Sequence, residues 1–180
     1  MLFVRHATTP GMRAARFPGD EEADAASLAR AAASPVAAGT PVWVAPVRAA
    51  WQTAVAMGLE AREAPALGEA GCGRWRGLSY ERVAGEEPEA LAAWLADPHA
   101  APHGGESLAA AAARVAGWLE AVREGVAICD AGAIRAALGH ALGLGPLATA
   151  RFDLAPLSTT ELTVTRGGWR VAHVNRKVSS

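Results

Sequence analysis

The chain has 180 residues, of which 51% are hydrophobic and 19% are charged, and its formal net charge is −1. This length favours one domain, taken here as residues 1–180, and the apolar content excludes a disordered chain. The near-neutral charge speaks against nucleic acid or an anionic membrane surface as a partner.

The two cysteines, Cys72 and Cys129, match neither a metal-ligand spacing nor a disulfide framework. The start of the chain lacks the pattern of a signal peptide, and no apolar stretch reaches the roughly 18 residues that a membrane span needs. We therefore expect a soluble, cytoplasmic protein without a membrane partner. Its oligomeric state, monomer or dimer, stays open.

The first half of the chain predicts alternating strands and helices. Short apolar runs at residues 1–4 and 41–46 predict buried strands. Good helix formers predict a helix over residues 21–33, and a second helix is expected over residues 47–59. The side of this second helix expected to face the core carries four apolar residues: Val47, Trp51, Val55 and Leu59.

The second half predicts two long helices, a strand and a hairpin. The helices cover residues 107–122 and 131–142, with a strand over residues 126–129 before the second helix. Residues 161–165 and 169–174 alternate in hydrophobicity and predict two antiparallel strands. The fold class expected is α/β: a three-layer α/β/α sandwich with a mostly parallel sheet and an antiparallel edge.

Arg5 and His6 follow the first predicted strand directly. In open α/β sheets, ligands bind at the carboxyl ends of the strands. A neutral imidazole can attack phosphorus near pH 7, and a guanidinium group matches phosphate oxygens in geometry and charge. The pair therefore indicates an anion site with a nucleophile; the alternative is an ordinary surface pair at a strand end.

Five segments in order carry a family pattern. Residues 5–7 read Arg-His-Ala, close to Arg-His-Gly, and residues 45–54 are similar to Ser-Pro-x-x-Arg-Ala-x-x-Thr-Ala. Residues 67–77 are similar to Leu-x-Glu followed by Gly-x-Trp-Glu-Gly, and residues 102–107 contain Gly-Glu-Ser. Residues 126–138 are similar to Val-x-x-x-His-Gly-Gly-x-x-Arg-Ala-Leu. Together they resemble the histidine phosphatases, also called phosphoglycerate-mutase-like proteins, and imply that fold.

The resemblance implies a role for each matching residue. His6 is expected to take the phosphoryl group, while Arg5 and Arg48 are expected to bind its oxygens. Glu69 is expected to protonate the leaving alkoxide and then to activate water. Neither a cofactor nor a metal ion is implied. The alternatives are an ordinary surface residue for Arg48 and a solvated loop carboxylate for Glu69.

Asp130 stands where the family carries a second His that donates to the phosphoryl group, and it is a candidate catalytic residue. An ionised carboxylate there repels a bound dianion. It is tolerated if protonated or bridged to Arg5 or Arg48, and it can instead cap the helix that follows. His140 lies about 15 Å from the end of the strand, further along that helix, and so cannot replace the missing His. His103 is therefore the histidine expected to bind phosphate in place of the missing one.

Two functions of different classes remain. The first is a metal-independent phosphatase that cleaves a small phosphomonoester through phospho-His6 and is slowed by Asp130; the chain length favours hydrolysis over the longer mutases. The second is a weak or inactive homologue that binds a phosphorylated ligand or a protein partner. Whether Asp130 faces the pocket is expected to separate them. A nicotinamide-binding domain is excluded because no Gly-x-Gly-x-x-Gly turn follows the first strand.

Arg76 and Met12 also depart from the family pattern, so the sequence does not identify the substrate.

Overall fold

One mixed sheet forms the centre of the computed structural model, which describes residues 1–34, 36 and 40–177. The strand order is β3-β2-β4-β1-β5-β6. The four strands β3, β2, β4 and β1 run parallel, whereas β5 pairs antiparallel with β1 and with β6. The strands are β1 (Leu2–Arg5), β2 (Val42–Val44), β3 (Arg62–Glu63), β4 (Val126–Cys129), β5 (Ser158–Thr165) and β6 (Gly168–Lys177).

Helices join and cover these strands, with α2 packed on α3 and α6 packed on α7. The predicted α/β architecture with an antiparallel edge is therefore confirmed. No helix in the described part of the chain is long and apolar enough to cross a membrane. The helices are α1 (Pro10–Arg13), α2 (Ala25–Ala32), α3 (Arg48–Ala56), α4 (Tyr80–Glu86), α5 (Pro88–Ala96), α6 (Leu108–Ala121), α7 (Ala131–Leu142) and α8 (Pro146–Thr149).

Side-chain caps fix where the two long helices begin. The Ser107 hydroxyl accepts a hydrogen bond from the Ala110 N–H at 3.1 Å and starts α6. The Asp130 carboxylate accepts from the Ala133 N–H at 2.9 Å and starts α7. Each bond satisfies a backbone donor that has no partner within the helix. Both helices were predicted within one residue of these bounds.

The core lies around the two central strands. Phe3 and Val4 of β1 and Ile128 of β4 are fully buried, and Leu119 of α6 and Leu138 of α7 belong to the same cluster. Fully burying an aliphatic side chain contributes roughly 1.5–3 kcal/mol. The apolar runs that predicted these strands are therefore the runs that the helices cover.

The apolar side expected for α3 faces the core only in part. Val47 and Leu59 pack against the core, but they lie outside the helix, which runs only over Arg48–Ala56. Within the helix, Val55 is 72% exposed and Trp51 is also exposed. Its buried side consists of small residues: Ala49, Ala50, Thr53 and Ala54. Small side chains let a helix approach a sheet closely, so the regular spacing of larger apolar residues indicated the opposite side.

A smaller cluster of aromatic side chains lies beside the sheet. Phe17 stacks on Tyr80 with ring centroids 4.1 Å apart, and it also packs against Trp75 and Trp94. These residues come from the segment after β1 and from the region of α4 and α5. The cluster covers the carboxyl-end side of the sheet, where the candidate site lies.

Candidate active site

The parallel pairing of β1 with β4 brings the ends of two strands together. Arg5 lies opposite Cys129, and the His6 N–H donates to the Cys129 carbonyl at 2.9 Å. His6 and Asp130, each one residue further on, therefore leave the sheet side by side. Both line a cleft of about 260 Å³, together with Arg5 and Glu69.

His6 is held as a neutral, directed imidazole. Only 8% of the residue is exposed, and its Nδ1 lies 2.8 Å from the carbonyl oxygen of Ala7. A carbonyl oxygen only accepts, so Nδ1 carries the proton and Nε2 keeps its lone pair. Burial lowers the pKa of His6, which favours this uncharged form near neutral pH.

Arg5 supplies a cation to the same cleft. It donates to the Leu154 carbonyl, and its buried Nε has no partner among the described residues. Although burial lowers its pKa, a guanidinium stays charged in proteins. Glu69 and Asp130 both favour the charged form of this guanidinium. Arg5 therefore brings positive charge to the site.

The carboxyl groups of Glu69 and Asp130 meet beside Gly132. A Cβ atom at Gly132 would lie 3.0 Å from Asp130 Oδ1 and 3.3 Å from Glu69 Oε1. Burial raises the pKa of Glu69 well above its ordinary value, and the nearby Asp130 raises it further. Glu69 is therefore suited to hold a proton at neutral pH and to donate it.

Asp130 both caps α7 and faces the cleft. The residue is 5% exposed; Oδ1 accepts from the Ala133 N–H, while the buried Oδ2 has no partner among the described residues. Burial raises the pKa of Asp130, and the hydrogen bond from Ala133 opposes that rise. The capping role expected as an alternative is thus present together with the orientation toward the cleft.

Arg48, which was expected to bind the phosphate oxygens, does not lie with these residues in this structure. Its side chain is 56% exposed, and it is not among the described residues that line the cleft. Its Nε lies 3.3 Å from Asp20 Oδ2, and its Nη1 lies 3.4 Å from Glu22 Oε1. The guanidinium therefore binds an acidic loop.

The position of Ala49, the residue after Arg48, explains why Arg48 lies outside the cleft. In the pattern Ser-Pro-x-x-Arg-Ala-x-x-Thr-Ala, which begins at Ala45, the Arg falls on Ala49, one residue after Arg48. Ala49 lines the cleft. One residue along an α-helix rotates a side chain by about 100°, because a turn holds 3.6 residues. Arg48 therefore cannot take the place of the missing Arg.

His103, which was expected to bind phosphate, also lies outside the residues that line the cleft. It is 2% exposed, with its ring centroid 4.9 Å from that of Trp75. Its Nδ1 accepts from the Gly105 N–H at 2.9 Å. The loop is fixed there by Gly73, which has a φ of 48° and whose added Cβ would clash with the His103 carbonyl oxygen. His103 supports the loop under the aromatic cluster.

Sequence reasoning missed Arg16 and Glu21, which also line the cleft. Glu21 Oε2 accepts from the Gly11 N–H at 2.6 Å, which directs this carboxylate toward α1. The acidic run Asp20-Glu21-Glu22 was the only local signal for it. With these residues, the described lining contains two guanidinium groups and three carboxyl groups. This excess of acidic groups weakens the attraction of the cleft for a dianion.

Comparisons with known proteins place relatives of this chain among phosphatases. The family model described as histidine phosphatase superfamily (branch 1) matches residues 1–177. A glucosyl-3-phosphoglycerate phosphatase from Mycobacterium tuberculosis is 32% identical over 124 residues, which are 63% of this chain and 56% of that protein. The enzyme of that name from Mycolicibacterium vanbaalenii is 32% identical over 117 residues, 59% of this chain and 52% of the relative. The chain thus spans little more than half the length of these curated relatives.

Two crystal structures match the whole fold. A mycobacterial glucosyl-3-phosphoglycerate phosphatase in complex with VO3 superposes with a TM-score of 0.81 at 26% identity, over 98% of this chain and 99% of that one. The alpha-ribazole phosphatase from Shigella flexneri superposes with a TM-score of 0.84 at 17% identity, over 99% and 98% of the two chains. The second likeness concerns the fold alone.

The positions of the two arginines predict effects of different size on anion binding. Arg5→Ala should raise the Kd for orthovanadate about tenfold or more, because it removes a charge-assisted donor from the cleft. Arg48→Ala should change it less than about twofold, since Arg48 binds Asp20 and Glu22. Isothermal titration calorimetry at fixed ionic strength measures both; equal losses would contradict the assignment.

Proposed function

This chain belongs to the histidine phosphatase superfamily, and we propose on that premise that it is a phosphatase that cleaves a phosphomonoester through a phosphohistidine on His6. The observation that carries the proposal is a buried imidazole in one cleft with Arg5 and Glu69, whose Nδ1 lies against the Ala7 carbonyl oxygen and so leaves Nε2 available to attack. The mycobacterial relatives are named as phosphatases, which supports the same reaction class.

The first step transfers the phosphoryl group to the enzyme. His6 Nε2 attacks phosphorus and forms the N–P bond, while the ester P–O bond breaks and its electron pair stays on the leaving oxygen. Glu69 gives its proton to that oxygen, which leaves as the alcohol. Arg5 stabilises the charge on the transferred group.

The second step restores the enzyme. The ionised Glu69 takes a proton from water, whose oxygen attacks the phosphorus of phospho-His6. The N–P bond breaks, the lone pair returns to Nε2, and inorganic phosphate leaves. Microscopic reversibility gives Glu69 this double role, as acid in the first step and base in the second. The two steps use no metal ion.

Two departures from the family pattern are expected to slow this cycle. Asp130 supplies a carboxyl group where the pattern has a donating His, and Ala49 supplies a methyl group where it has an Arg. Loss of a single transition-state donor commonly lowers kcat about a hundredfold to a thousandfold. We therefore propose a slow enzyme that depends on protonated carboxyl groups.

The placement of Asp130 also favours a second candidate function. Asp130 and Ala49 stand where the pattern has a donating His and an Arg, so two donors to the transferred group are absent while Arg5 still lines the cleft; this favours a homologue that binds a phosphorylated ligand without turnover. This candidate shares the fold and the cleft with the first. Only the chemistry on His6 separates the two.

Hydrolysis of a panel of phosphomonoesters tests the proposal directly. We expect wild-type activity that EDTA leaves unchanged, and a phosphoenzyme that is acid-labile, as a phosphohistidine is. His6→Ala should abolish both signals, and Arg48→Ala, which alters an exposed residue outside the cleft, serves as the matched control. Phosphate binding by wild type without turnover on any ester would favour the ligand-binding homologue instead.

The activity should peak on the acidic side of neutrality. The rising limb follows deprotonation of His6, whose pKa is lowered, so activity appears below the ordinary value of 6.5. The falling limb follows ionisation of Glu69 and Asp130, whose pKa values are raised, so activity persists above the usual carboxyl range. A kcat/KM profile against pH measures both limbs. An optimum above pH 8 would contradict these assignments.

Restoring the family's residues at positions 130 and 49 should raise turnover. Asp130→His is expected to increase kcat about tenfold or more by returning a donor to the transferred group. Asp130→Asn, which removes the negative charge while keeping the side-chain size, should lower the Kd for vanadate with little gain in kcat. Adding Ala49→Arg to Asp130→His should lower that Kd further. A fall in kcat for Asp130→His would show that Asp130 itself acts in the reaction.

A further inference from the structure

A second and larger cavity, about 610 Å³, opens beside the candidate active site. Its walls come from α6 and α7, and its roof includes Tyr80 and Trp94 of the aromatic cluster. Its volume falls in the range of small-molecule sites. We call this cavity the helical groove.

The helical groove exists because the facing sides of both helices carry small residues. Ala112 and Ala116 of α6 face it, opposite Gly132 and Ala136 of α7. Larger side chains at these positions would fill the space between the helices, as close packing normally does. The lining runs along α7 from Gly132 to His140, about 12 Å at 1.5 Å per residue.

Glu69 connects the helical groove to the cleft. It lines both cavities, as do Phe17, Pro18 and Tyr80. In phosphoryl transfer the attacking and leaving atoms lie roughly in line on opposite sides of phosphorus. If His6 attacks and Glu69 protonates the leaving oxygen, the rest of the alcohol extends past Glu69 into the groove.

Most of the groove is lined by apolar side chains, and several of its polar side chains are already bonded to neighbours. Arg135 donates to the Phe152 carbonyl at 2.9 Å, and Thr149 donates to the Pro146 carbonyl at 3.1 Å. His140 Nε2 lies 2.6 Å from Glu120 Oε1. Burial raises the pKa of Cys72 and of Tyr80 to about 12 each, and the nearby Glu69 adds to both shifts. A sugar would lose water against the alanine, glycine and leucine lining and would replace only part of its hydrogen bonds.

We propose that the helical groove binds the leaving group of the substrate and selects phosphomonoesters of apolar alcohols over those of polyhydroxyl alcohols. This inference rests on the proposed phosphatase function. The phosphate lies in the cleft between His6 and Glu69, and the apolar body lies between α6 and α7 under Trp94.

Filling the groove tests the proposal. Ala112→Leu projects a larger side chain into it, and Ala136→Leu does so from α7 in case the first variant folds poorly. Ala110→Leu makes the same change at an exposed position of α6 outside the lining and is the matched control. Melting temperatures establish that the variants fold.

Two substrates of opposite character give the readout. The wild type should have a lower KM for 1-naphthyl phosphate than for glycerol phosphate. Ala112→Leu should raise the KM for 1-naphthyl phosphate about tenfold, the range expected for a crowded apolar pocket, and change that for glycerol phosphate less than about twofold. Equal KM values in the wild type, or an equal rise for both esters, would overturn the proposal.

Binding of the free alcohol separates this inference from the proposed function. If no ester of the panel is hydrolysed, the phosphatase proposal fails, and calorimetry with 1-naphthol then decides whether the groove binds an apolar ligand. Binding that Ala112→Leu or Ala136→Leu weakens and Ala110→Leu retains would support an apolar ligand there. The absence of 1-naphthol binding to the wild type would overturn it.

Discussion

The parallel pairing of β1 with β4 is the constraint on which the site depends. Adjacent strands lie about 4.8 Å apart, so the residues that follow two strands in register must be neighbours. Arg5 pairs with Cys129, which leaves the imidazole of His6 beside the carboxylate of Asp130. The same carboxylate starts α7, so the charge next to the nucleophile and the direction of that helix come from one side chain.

Local signals in the sequence predicted the central strands and helices, but they did not predict the direction in which side chains point. The strand at residues 126–129 and the two capped helices were found because apolar runs and caps act within a few residues. The position of Arg48 outside the cleft was not predictable from the motif match, because an offset of one residue places a side chain on a different face of a helix. The position of His103 was not predictable because nothing within its loop shows that Trp75 will cover it. The exposed two-residue strand β3 gave no sequence signal.

The carboxyl groups of the cleft couple anion binding to the uptake of protons. An ionised Asp130 about 4 Å from a phosphate oxygen would oppose binding by roughly 4 kcal/mol at an effective dielectric constant of 20. Protonation removes that repulsion, and burial already raises the pKa of Asp130. A bound dianion raises it again, since a nearby negative charge disfavours ionisation. Phosphate binding and proton uptake at Asp130 are therefore coupled through one interaction.

Under the proposed function, the cleft and the helical groove act on different kinetic constants. Contacts between an apolar leaving group and the groove are similar in the ground state and the transition state, so they lower KM without raising kcat. A donor missing at Asp130 matters only as charge redistributes on the transferred group, so its loss lowers kcat. Remote binding can hold the ester in place of a strong phosphate clamp, but it cannot replace the donor. Selectivity for the alcohol thus depends on Ala112 and Ala136, and the rate of transfer on Asp130 and Ala49.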